Sequence, residues 1–128
     1  MLGSILTMLL VQFSADPTLA EQYEGTCLYP EAVRERAAPG ELINCNRVEI
    51  DPASITFGRR GWKSETRFDG VFEGDRLTVS SVTVNENTTI EVRGVCQLYF
   101  ADDALSTVAC TASSNRGSVA ANFVVSKL

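Results

Sequence analysis

The stretch CQLYFADDALSTVAC, residues 96–110, constrains the fold more than any other part of the chain. A cysteine stands at each end, Asp102 and Asp103 stand at the centre, and apolar and polar residues alternate along both arms. Alternation with a period of two marks a strand with one buried face, and aspartates favour turns, so the segment reads as a β-hairpin. With Asp102 to Ala104 as a three-residue loop, Ala101 faces Leu105, Phe100 faces Ser106, Leu98 faces Val108 and Cys96 faces Cys110. One face then carries Cys96, Leu98, Phe100, Ser106, Val108, Cys110 and Ala112 and is assigned to the core. The other carries Gln97, Tyr99, Thr107 and Thr111 and is assigned to solvent. Opposite Cβ atoms lie about 4.5–5.5 Å apart in a sheet, against about 3.5–4.5 Å in a disulfide, so a Cys96–Cys110 bond requires one of the closer, non-hydrogen-bonded pairs.

The four cysteines, Cys27, Cys45, Cys96 and Cys110, are separated by 18, 51 and 14 residues, and the chain has no histidine. Zinc sites place cysteines two to four residues apart, often with histidine completing the set, so structural disulfides are expected and no metal or cofactor. Four cysteines allow three connectivities. The hairpin register selects Cys96–Cys110 and leaves Cys27–Cys45, which closes a loop that stabilises the fold by about 3 kcal/mol on the chain-entropy account. Disulfides persist in oxidising compartments, which raises the question of export.

The first twenty residues, MLGSILTMLLVQFSADPTLA, answer it. Their apolar run from Ile5 to Phe13 is too short to span a bilayer and suits a signal-peptide core. Pro17 ends it, and Thr18 and Ala20 put small residues at the two positions a signal peptidase reads. Residues 1–20 are expected to be a cleaved signal peptide and residues 21–128 the mature domain, periplasmic or secreted from a bacterial cell, with no membrane span after cleavage.

Beyond the signal, YPEAVRERAAP (Tyr29–Pro39) is the one helical candidate, with Pro30 and Glu31 suited to a first turn and Pro39-Gly40 to a stop. From Leu42 onward, short alternating segments are separated by Asp51-Pro52, GRRG, EGD, NEN, DDA and SNRG. Links this short favour antiparallel neighbours. In RLTVSSVTV the apolar phase switches at Ser80-Ser81: Leu77 and Val79 share one face, Val82 and Val84 the other. A bulge there returns all four to the core and bends the strand; the alternative buries both of its faces. Gly94, inside the next long strand, is consistent with a bend nearby. The expected fold is all-β: one antiparallel meander closing into a small barrel or sandwich, with one short N-terminal helix and two disulfides.

Function is less legible. A net charge of −5 argues against a nucleic-acid partner. Without histidine, the usual Ser-His and Cys-His nucleophiles are excluded. Asp69, Glu73 and Asp75, or Asp102 and Asp103, are the carboxylates a hydrolase would need, yet each set sits at a turn, and none has an EF-hand ligand pattern. Asn87-Thr88-Thr89 spells a glycosylation sequon, but NEN reads as a turn.

The best binding candidate is GRRGWKSETRF, residues 58–68, where Arg59, Arg60, Lys63 and Arg67 gather around the only tryptophan, Trp62. Arginine and tryptophan are enriched at binding hot spots and together grip anions by bidentate and cation-π contacts. The alternative is a hairpin loop in which Trp62, Ser64, Thr66 and Phe68 share the core face while Lys63, Glu65 and Arg67 neutralise each other outside. Lipocalin-like exported barrels carry a Gly-X-Trp signature; here Gly61 and Trp62 are adjacent, so no residue role transfers from them.

A non-enzymatic binding or interaction domain of the envelope, an inhibitor or ligand binder, is therefore expected. Its partner would be a protein or an anionic envelope ligand, engaged through the Trp62 loop or the outward face around Tyr99. The other expectations are a structural or stress-tolerance envelope protein and a carboxylate-based hydrolase. Intact-mass measurement of the exported protein tests the signal: the mass of residues 21–128 is expected, and a chain retaining Met1 would end the export assignment.

Overall fold

The computed structural model describes residues 21–59, 65–85 and 87–126. The signal-peptide assignment, residues 1–20, lies outside the described residues. Eight strands form: β1 (Glu21–Cys27), β2 (Arg47–Asp51), β3 (Ser54–Gly58), β4 (Glu65–Glu73), β5 (Arg76–Val84), β6 (Thr88–Ala101), β7 (Ala104–Ser114) and β8 (Gly117–Val125). Each pairs antiparallel with the next, and β1 also pairs with β8, so the meander closes into a barrel rather than a sandwich. Closure removes the unpaired sheet edges an open meander would leave. Inside, Phe57, Phe68 and Phe123 are fully buried with Ile55, Leu77, Val48 and Val108, and the Phe57 and Phe68 rings meet edge to face at 5.6 Å. Side chains of this size fill an eight-stranded barrel.

The closing strand is the one that alternation did not reveal. β1, EQYEGTC, is polar or small at most positions and buries only Cys27, with Tyr23 packed against the core. Its first half, Glu21 to Glu24, pairs with β2, and Gly25 to Cys27 pair with β8. The crossover requires glycine, since a Cβ on Gly25 would overlap the Val124 carbonyl. The Gly25 and Cys27 N–H groups donate to the Asn46 and Cys45 carbonyls at 3.2 and 2.9 Å, and the Cys27–Cys45 disulfide fastens the same seam.

Between Cys27 and Arg47 the chain leaves the barrel as a strap. It contains α1 (Glu31–Arg36), shorter than the expected Tyr29–Pro39 and without a buried residue. Pro39 disfavours a helical Ala38, whose N–H instead donates to the Glu41 carboxylate at 2.8 Å. The strap returns along β8, where Leu42 bridges Ala120 in parallel. The first of the alternating segments, expected from Leu42 to the Asp51-Pro52 break, is thus confined to Arg47–Asp51, because the backbone before it is committed to β8 and the seam.

Both disulfides are Cys27–Cys45 and Cys96–Cys110. Cys96 faces Cys110 and Leu98 faces Val108, as the alternation indicates, but the hairpin tip differs. Its turn has two residues, Asp102 and Asp103, with φ of 53° and 66°. Left-handed dihedrals at both central positions match the strand twist of a tight hairpin. Ala101 therefore faces Ala104 and Phe100 faces Leu105; Ser106 is then passed over, since Tyr99 faces Thr107. The shorter turn and the bulge cancel, leaving the disulfide in register. Leu105, not Ser106, occupies the inner face, and Phe100 is half exposed near the barrel's end.

The switch in β5 is a bulge: Ser81 pairs Asp69 and Val79 pairs Gly70, which passes over Ser80. Leu77, Val79 and Val82 are all buried as a result, and Val84 packs against them. The neighbouring strand comes so close that a Cβ on Gly70 would overlap the Thr78 carbonyl. Gly70→Ala is expected to cost about 3 kcal/mol by chemical denaturation, as overpacking against backbone that cannot retreat. Converting Cys27 and Cys45 together to serine is expected to cost a similar amount, about 3 kcal/mol, measured in the same way with Cys96–Cys110 intact.

Candidate functional site

The two ends of the barrel are built differently. One carries the turns after β2, β4 and β6; the other carries the turns after β5 and β7 together with the strap. At the strap end the inward positions are filled by Thr66, Val84, Ile90, Ala112, Ser114 and Val119, all smaller than the phenylalanines at mid-barrel. They leave an open cup of about 300 Å³, whose wall also includes Val82, Val92 and, from the strap, Gly40 and Ile43. That volume stands at the lower limit of the about 300–1,000 Å³ typical of small-molecule sites. Arg116, in the β7–β8 turn, and Ser118 complete the rim, and Arg116 is the one charged residue among the described residues lining the cup.

Tyr29 positions the strap wall. Its hydroxyl donates to the Ile43 carbonyl at 2.5 Å, lies 3.3 Å from the Ala120 carbonyl and accepts from the Asn122 N–H at 3.4 Å. Burial pushes the phenol's pKa above its ordinary value of 10.0, partly offset by the Asn122 N–H, whose hydrogen bond favours the phenolate. The Asn122 side chain adds a bond to the Leu28 carbonyl at 3.0 Å. Ile43 is thereby held over β8 beside Val119.

The sequence-based candidates are not gathered in one place. Arg60, Trp62 and Lys63 lie outside the described residues. Arg59, just past β3, donates from Nη1 to the Asn44 amide oxygen of the strap at 2.9 Å. Arg67 stands on the outer wall, its Nε 2.8 Å from Asp69 Oδ1 and its Nη2 3.4 Å from the Thr83 hydroxyl. Thr83 is buried against the wall by these neighbours and bonds Asp69 and Thr89 as well. Glu65 does not neutralise Arg67, as the shared outer face suggests; it pairs with Arg47 at 2.8 Å. Arg47 and Glu65 both pair with Gly58 across β3, and the absence of a side chain there lets them meet. Thr66 and Phe68 do face inward, Phe68 fully buried. Tyr99, half exposed on the outer face, lies near the β6–β7 turn at the opposite end from the cup.

The carboxylates named as hydrolase candidates are equally dispersed: Asp69 is engaged with Arg67, whereas Glu73 and Asp75 flank the β4–β5 turn and Asp102 and Asp103 form the β6–β7 turn. Of four clefts on the described surface, none is lined by more than one carboxylate. What the sequence did not reveal is the cup. The one charged residue among its described lining, Arg116 in SNRG, reads as ordinary turn chemistry.

Fold and cup together define a class: an eight-stranded up-and-down barrel, stapled by two disulfides, with an apolar cup among the described residues at one end. No family model, curated protein or solved structure matches the chain. The disulfides are compatible with an extracytoplasmic compartment, and no helix among the described residues is long and apolar enough to cross a membrane.

Because the folded protein holds the Tyr29 proton more tightly than the unfolded chain, its contribution is complete below about pH 10 and is lost as pH rises through the raised value. Tyr23 is also raised, by burial and then by the neighbouring Glu21 charge and hydrogen bond, and adds in the same sense. Tyr29→Phe is expected to cost about 1 kcal/mol at pH 7 and to show a shallower loss of stability above about pH 10 than the parent. Urea denaturation at the two ends of that range measures both.

Proposed function

We propose that the protein is a non-enzymatic binding domain, exported to the periplasm or beyond, that holds a small, largely apolar molecule in the cup. The observation that carries this reading is the set of inward apolar side chains, Val84, Ile90, Val92 and Val119, left partly exposed at one end of an otherwise filled barrel. Apolar surface in a concave site is stabilised by about 25 cal/mol for each Å² that an occupant removes from water. Eight strands give an interior wide enough for one small ligand when the lining side chains are short. Recognition through the basic stretch has less support, because its described members Arg59 and Arg67 are tied to Asn44 and Asp69.

Titration with a neutral apolar fluorophore such as N-phenyl-1-naphthylamine tests the reading. Saturable binding of one molecule per chain is expected. Ile90→Asp, which introduces a charge into the wall, is expected to weaken it at least about tenfold while circular dichroism stays unchanged. A folded parent protein that shows no saturable binding would overturn the proposal.

A further inference from the structure

The rim of the cup narrows the class of occupant. In a chain with 16 acidic and 11 basic residues, the described residues lining the cup include no carboxylate and one guanidinium, that of Arg116. Arg116 is exposed, projects from a two-residue turn between Ser114 and Gly117, and makes no ion pair with any described residue. Its own N–H donates to the Ser114 hydroxyl at 3.1 Å, which fixes the backbone of the turn and leaves the guanidinium at the lip. Arg116 also lines the adjoining cleft, which includes Glu91, yet the two are not paired. An apolar well with an unengaged guanidinium at its mouth complements a molecule that is apolar along its length and anionic at one end.

Resting on the cup as the binding site, we infer that the occupant is a single-chain carboxylate amphiphile, its tail in the well and its head on Arg116. The volume admits one chain and not the paired chains of a membrane lipid. The guanidinium fork takes a carboxylate or a phosphate with two parallel N–H···O bonds, and the single charge of Arg116 balances a carboxylate monoanion but not a phosphate dianion.

Decanoate and 1-decanol, which share a tail and differ in the charge of the head, separate this inference from the cup itself. Calorimetric titration is expected to show decanoate binding about fivefold or more tighter than 1-decanol, a rim-exposed charge pair being screened by solvent. Arg116→Gln is expected to remove that preference and leave 1-decanol affinity within about twofold, and added salt should weaken decanoate alone. Equal affinity of the parent protein for the two ligands, or an Arg116→Gln variant that retains the preference, would overturn the carboxylate assignment and leave the apolar cup standing. Failure of both ligands to bind would overturn both.

Discussion

The barrel depends on how β1 is shared. A strand of seven residues cannot run the full height of both β2 and β8, so its first half completes the β2 edge and its second half the β8 edge. The length of β8 before Ala121 is then left to the strap, where the Ile43 N–H donates to the Ala120 carbonyl and the Glu41 carbonyl accepts from the Ala120 N–H in place of a ninth strand. Cys27–Cys45 lies where these two arrangements meet. Without that covalent link, the seam would rest on a few backbone hydrogen bonds and on a strap whose helix buries nothing. The disulfide therefore limits the unfolded chain and also keeps the closing strand opposite the strap.

The second disulfide acts in the best-paired part of the sheet, between the two longest strands. There it joins side chains that are already fully buried and that belong to the same inner row as Leu77 and Ala121. One disulfide thus secures a weak seam, and the other locks the register of a strong pair. Register is the quantity that matters in such a sheet, because a slip of one residue exchanges the core face for the solvent face.

Register was also what the sequence revealed best, for a reason visible in the 96–110 hairpin. Burial acts on alternation along each arm, so Cys96, Leu98, Val108 and Cys110 can be placed without knowing the loop. The tip has no such constraint: Asp102-Asp103 versus Asp102 to Ala104 is settled by strand twist, and Ser106 absorbs the difference as a bulge. The Ser80 bulge was legible by the same logic, since it was the one way to bring Val79 and Val82 to a single face while leaving Thr78 and Ser80 outside. β1 was not, because its role is carried by backbone pairing and by the small size of Gly25, neither of which leaves a hydrophobic pattern. Trp62 and the surrounding basic residues attracted attention by composition, whereas the partners of Arg59 and Arg67 come from Asn44, fifteen residues upstream, and from Asp69.

The cup escaped notice because alternation reports which face a residue occupies and nothing about whether that face is filled. Val82 and Val84 follow the same pattern, and only the first is buried. What separates them is the size of the residues at the same height on other strands. Val82 faces Phe68 across the β4–β5 pair and Val84 faces Thr66, and the described residues toward the strap end include Ala112, Ser114 and Val119. A barrel of fixed strand number has a nearly constant interior width, so the small described residues at this level leave the space seen as the cup. Since unfilled apolar space forgoes dispersion contacts and adds nothing to stability, an occupant of the proposed kind would supply at this level the contacts that side chains supply at the middle of the barrel. Arg116 then gives the open end a sign, which the phenylalanine layer below cannot supply.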